Sequence, residues 1–138
     1  RCATFLVDLG CVGIKDCFMS PESDYDQAEH FLEQQKSNLL AQGNELIPVK
    51  LTFCYSLLKT AIEYSQQFGI KPNKDYKSAS RLLEPGFLKS DYEDVIPGGV
   101  NGKPFFMTSP NYPSPTPEQM KLIDDAGGHS TFIQSDFT

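Results

Sequence analysis

Two carboxylates, Asp8 and Asp16, stand inside the most apolar and most β-branched run of the chain, Ala3 to Met19. Carboxylates on neighbouring strands can hold a divalent cation, as in phosphoester hydrolases whose metal ions flank the phosphate. The catalytic candidates on that chemistry are Asp8 and Asp16, with Lys15 between them, and the cofactor would be Mg or Mn. Such centres gather three or four carboxylates. Asp75, Asp91, Glu93 and Asp94 are the available contributors, and nothing in their spacing brings them to this run. The simpler reading has Asp8 pairing with Lys15, or accepting backbone N–H groups at a turn, with no metal and no cofactor. A carboxyl group buried there without a partner would have its charged form disfavoured, which would mark it as a site.

The thiols and imidazoles give a weaker signal. Cys11 and Cys17 could act as nucleophiles near His30 or His129, but a catalytic thiolate needs an electropositive, accessible setting. Cys11 follows Gly10 on a turn, whereas Cys54 falls on the apolar face of a helix and reads as core. With four cysteines, two histidines and no C-x-x-C pair, zinc is not indicated, and free thiols in a reducing cytoplasm are the expectation. His129 lies in Gly127-Gly-His-Ser-Thr, whose backbone N–H groups could receive a small anion, although the glycines more simply end a helix. There is no phosphate loop, nucleophile elbow or H-E-x-x-H motif. Aromatic residues gather in the last third, interleaved with Pro110, Pro113 and Pro115. The binding candidates are Tyr112, Pro113, Phe106 and His129, as a surface that grips a peptide or a nucleic-acid strand, the acidic balance counting against the latter; packing of the Pro-rich loop over the sheet is the alternative.

These residues need elements to position them. In the first run, Phe5 and Val7 alternate with Thr4, Leu6 and Asp8, and Val12, Ile14, Asp16 and Phe18 continue the period after Gly10. Two antiparallel strands, 3–9 and 12–19, are expected, and apolar residues on both faces suggest an interior position in a sheet. A helix is expected from Asp24 to Ala41, capped by Ser23 or Asp24 and ended by Gly43. A second, central helix carries Leu51, Cys54, Tyr55, Leu58, Ala61, Ile62 and Phe68 at helical spacing, with Pro48 in its first turn and Gly69 at its end. A short third helix follows Asp75. Asn101-Gly102 is a two-residue hairpin signal joining strands Ile96–Val100 and Pro104–Thr108. Thr116-Pro-Glu-Gln119 is a capping box opening a helix to about Ala126, and Ser130–Gln134 reads as a last strand. The fold class is α+β: a mainly antiparallel sheet of two hairpins plus a C-terminal strand, packed against three to four helices, in the order β-β-α-α-α-β-β-α-β.

The 138 residues suit one α+β domain, 1–138, as a whole or as a terminal module of a longer protein. A formal charge of -6 counts against a general nucleic-acid binder. No apolar stretch approaches the roughly 20 residues of a membrane span.

Two further segments, with the opening, resemble an uncharacterised bacterial protein family. Leu6 to Asp16 is similar to its opening "L-V-D-x-x-C-L-G-V-K-D"; Gly69-Ile-Lys-Pro-Asn-Lys-Asp75 is similar to its "G-F-x-P-x-x-D" segment, with Ala79 and Leu82-Leu83 following; and Gly102-Lys-Pro104 is similar to its "D-G-K-P". Asn73, Ser109 and His129 depart from that pattern. The resemblance implies a bacterial cytoplasmic origin and no particular activity. The function expected from the whole reading is a non-catalytic protein-interaction or regulatory domain with a protein partner, the metal-dependent phosphoester hydrolase being the alternative.

Overall fold

A computed structural model describes residues 3–19, 25–90, 92, 95–108 and 114–132, with backbone alone described at Tyr25, Val100, Thr131 and Phe132. Ser23 and Asp24, Tyr112 and Pro113, the Pro-rich stretch through 113, Asp91, Glu93, Asp94 and the end of the last strand lie outside the described residues.

The fold class is α+β, with four α-helices and two small sheets among the described residues. Strands β1 (Ala3–Asp8) and β2 (Gly13–Met19) form an antiparallel pair joined by the turn 9–12. A bulge shifts the register between Leu6 and Val7, so that Val7 faces Ile14 while Leu6 faces Asp16, leaving Lys15 as the extra residue. That bulge corrects the simple period-2 reading: Ile14 and Cys17 point into the core, and Asp16 and Phe18 point outward with Leu6. Among the described residues this sheet has two strands, and Leu6 is 56% and Phe18 42% exposed instead of interior.

Helix α1 (Tyr25–Ala41) and helix α2 (Leu51–Gln66) fall where the apolar spacing places them. Pro48, expected in the first turn of α2, precedes it by three residues, and extended Lys50 takes the N-cap position. Past the end of α2, Gly69 adopts φ +70, and Ile70 N–H donates to Ser65 O, turning Phe68 and Ile70 back into the core. Helix α3 (Tyr76–Ala79) is a single turn that continues as a 3-10 turn, Ser80–Leu82. Asp75 stands at its N-cap as expected, without a side-chain cap bond, and the Asn73 Oδ1 two residues before it accepts Asp75 N–H at 2.9 Å.

The second β unit departs from expectation. Residues 95–99 form no strand, and Val100–Gly102 make a 3-10 turn instead of a hairpin tip. Pro97 has no N–H to pair, Gly98 N–H donates to Leu9 O at 2.6 Å, and Gly99 N–H donates to Lys103 O at 2.7 Å, so the segment closes on itself and on the first turn. Strand β3 (Phe105–Thr108) pairs in parallel with β4 (His129–Phe132), Phe105 opposite His129, through helix α4 (Pro117–Asp125) as the crossover. The capping box that opens α4 is formed as expected, with Thr116 Oγ1 accepting Gln119 N–H and Gln119 Oε1 accepting Thr116 N–H.

Two core clusters result. Ile14, Cys17, Tyr55, Leu58 and Ile62 form one, between the β1–β2 pair and α2; Cys11, Val12, Phe68, Ile70, Phe106 and Ile123 form the other, under β3 and α4. The β1–β2 turn links them: Cys11 and Val12 have no exposed surface, and Phe105 N–H donates to Gly10 O at 2.9 Å. Gly13, where the turn meets α2, has φ +79, and a Cβ there would lie 2.6 Å from Ser65 Oγ and 2.9 Å from Ala61 O. Among the described residues, no helix is long and apolar enough to cross a membrane.

Candidate functional site

Register puts Asp8 and Asp16 nominally on the same, outer face, since Leu6 pairs with Asp16 and Asp8 lies two residues on. Their carboxylates serve the local backbone. Asp8 Oδ1 accepts Gly10 N–H at 2.8 Å and its Oδ2 accepts Val12 N–H at 3.2 Å, shaping the turn from within. Asp16 Oδ1 accepts Cys17 N–H at 2.8 Å. Of the sequence's two simpler readings for Asp8, the backbone one is formed. Among the described residues, no group of three or more Asp, Glu, His or Cys converges. Lys15, the bulge residue, is half-buried, and its carbonyl accepts the Asn73 Nδ2–H at 3.4 Å.

The cysteines divide by burial. Cys11, placed by sequence on an accessible turn, has no exposed surface because the turn tip inserts under Phe106; burial, reinforced by the Asp8 carboxylate, pushes its thiol up to about 12. Cys17 is also buried and its pKa is raised, first by burial and then by Asp75 and Asp16. Neither has the electropositive setting a nucleophile requires. Cys54, expected in the core, is only half-buried.

The binding candidates separate too. Phe106 is 2% exposed and packs against Val12 and Ile123, so it cannot present a surface to a partner. Its alternation with Phe105 was legible, but which face was inward depended on the parallel β3–β4 pairing. His129 is exposed and rests edge-on against Phe105, 4.7 Å between ring centres. The amides around it are occupied: Gly127 N–H donates to Asp124 O, Gly128 N–H to Ile123 O, and His129 N–H to Pro104 O. An anion would find no open donors at those three positions.

Of the depressions on the described surface, which include one beside His30 on α1 and one formed by residues between Tyr76 and Lys89, two adjoin the central helix α2. A polar one of about 280 Å3 is lined by Lys59, Glu63 and Tyr64 of α2 with Tyr92, Val95 and Pro97, among others. Its strongest groups are already paired, Lys59 Nζ donating to Ser90 O at 2.8 Å and Tyr64 Oη to Gly102 O at 3.4 Å. The other is apolar. It measures about 390 Å3 and is lined by Ala3, Thr4, Phe5 and Val7 of β1, Leu32 and Leu39 of α1, Leu46, and Cys54, Leu57 and Leu58 of α2. No β2 residue lines it, and its β1 residues Ala3, Phe5 and Val7 belong to the face of the strand that also packs against the first core cluster. Among the described residues, β1 hydrogen-bonds in a ladder with β2 alone. The outer edge of β2 is different: Asn73 N–H donates to Ile14 O at 2.9 Å and closes it.

Helix α1 forms one wall of this groove while burying, among its described side chains, only Ala28. Next to it the connection 44–50 is apolar and exposed, with Leu46 37%, Ile47 67% and Val49 48% exposed. A connection of that composition is the signal that could have found the groove from sequence, because loops without a binding role are polar. No protein-family model, curated protein or solved structure matches the chain.

Proposed function

We propose that the domain is a non-catalytic protein-interaction module that takes an extended peptide segment of a partner along the open edge of β1. The observation that carries this reading is an apolar groove lined by Phe5, Val7, Leu57 and Leu58 beside a strand that, among the described residues, has a ladder partner on one side only. An added strand would satisfy the free N–H and C=O groups of β1, and its alternate side chains would enter the groove, so backbone pairing gives affinity and the pockets give selectivity. The net charge of -6 favours partners other than nucleic acid. A reducing, cytoplasmic setting, and the bacterial family resembled by Leu6 to Asp16, belong to the same proposal; the free thiols of Cys11, Cys17 and Cys54 support the setting. The metal-dependent hydrolase has less support, because both Asp8 oxygens already hold backbone amides.

The test is selection of a random linear peptide library against the immobilised domain, followed by binding of the enriched peptides to variants. Enriched sequences should alternate apolar and polar residues. Leu57→Glu, in the groove, should weaken them by about 1.4–2.8 kcal/mol, roughly ten- to a hundredfold, whereas Leu122→Glu on α4 leaves them unchanged. Enriched peptides that bind the Leu57→Glu variant as tightly as the parent would place recognition elsewhere.

A further inference from the structure

Asn101 is the only asparagine in the chain followed by glycine. In such a pair nothing shields the backbone nitrogen from the side-chain amide. A base removes the Gly102 amide proton, the nitrogen attacks Asn101 Cγ, and the new C–N bond forms as the Cγ–NH2 bond breaks and ammonia leaves. Water then opens the five-membered imide at either carbonyl, giving aspartate or, with the main chain rerouted through Cγ, isoaspartate.

Ring closure requires the Gly102 nitrogen to swing nearly eclipsed with Asn101 Cβ. The fold holds it on the opposite side. Asn101 is fixed in the left-handed region, φ 60 and ψ 26, which places the nitrogen almost anti to Cβ. The nitrogen is also engaged, its N–H donating to Gly99 O at 3.1 Å. Around it the loop is fastened at three further points: Gly98 N–H to Leu9 O, Gly99 N–H to Lys103 O, and Tyr64 Oη to Gly102 O. A Cβ on Gly98 would fall 2.6 Å from the Gly102 carbonyl, so the loop has no slack in which Asn101 could rotate. Asn101 and Gly102 are nevertheless exposed, so base and water have access.

We propose that Asn101 is a spontaneous modification site gated by the fold, reacting only when the 98–103 loop opens. The reaction is one-way. Isoaspartate adds a methylene to the main chain inside the ring of bonds that closes the loop, so the loop cannot re-form them and its clasp on the Leu9 carbonyl is lost.

The experiment follows ammonia loss by peptide mapping in mildly alkaline buffer, for the folded chain, the chain in urea, and a synthetic peptide spanning 97–105. The folded chain should react at least roughly tenfold more slowly than the peptide, and the chain in urea should match the peptide. Equal rates for folded chain and peptide would overturn the gate. Isoaspartate-bearing chain, separated and refolded, should unfold at lower urea than Asn101→Asp, which carries the charge without the extra methylene. Identical midpoints for the two would overturn the loss of the clasp.

Discussion

At the tip of the β1–β2 turn the Cys11 thiol is sealed beneath Phe106, and its proton is held by burial and by the neighbouring Asp8 carboxylate. The folded state therefore favours the neutral thiol. Its contribution to stability is complete below the ordinary thiol value of 9.0 and is lost as pH climbs toward about 12. Cys17, Tyr64 and Tyr76 are raised in the same sense, each first by burial, so the losses add in one alkaline window. Urea midpoints in reducing buffer should fall from about pH 9 upward, with Cys11 alone contributing up to about 1.4 kcal/mol per pH unit. In Cys11→Ala that part of the slope should vanish; an unchanged slope would show that the Cys11 proton is not held by the fold. The neighbouring carboxylate has the complementary task. Asp8 was conspicuous in the sequence as a charge in an apolar run, and its use is to hold Gly10 and Val12 so that Cys11 points inward.

Among the elements, those whose signals are local were legible. The span of α1 follows from apolar spacing, and the Thr116–Gln119 box announces α4 to the residue. Gln119 reaches further than the motif implies, because its Nε2–H also donates to Gly69 O at 3.2 Å and ties the start of α4 to the end of α2. Thr116→Ala should cost about 1 kcal/mol and speed amide exchange in the first turn of α4, with little effect in α2. Equal loss of protection in both helices would mean the cap is not a local device. What the sequence hid was long-range. Asn101-Gly102 carries the dipeptide of a hairpin, yet Pro97 and the bond from Gly98 to Leu9 draw the preceding segment away from β3, whose partner arrives only after α4. The Lys15 bulge is equally silent in sequence, and it alone decides that Asp16 faces out and Cys17 in. The apolar groove needed α1, α2 and β1 to be placed before Leu32, Leu46 and Leu57 could be seen to share a surface.

For the molecule as a whole, the question is whether two core clusters behave as one cooperative unit. They are bridged through Gly13, with Val12 on one side of it in one cluster and Ile14 on the other side in the other. Phe106→Ala removes a nearly sealed aromatic ring and should destabilise the domain by about 3–5 kcal/mol, a large part of the 5–15 kcal/mol typical of a domain. Because the turn is shared, unfolding in urea should remain a single transition, with exchange of β2 amides reporting the Tyr55 cluster and exchange of β3 amides reporting the other. Two separate transitions would show that the clusters are independent. The same bridge sets a timetable for synthesis. Cys11 and Val12 leave the ribosome early, but Ile123, which seals them, follows more than a hundred residues later. At translation rates of about 5–20 residues per second, the turn waits roughly ten seconds for its roof. Through that interval a reactive thiol and a bare valine stand open to oxidants and to neighbouring nascent chains. The β1–β2 hairpin is thus made well before the helix that seals it, and stands among the last parts of this domain to be protected.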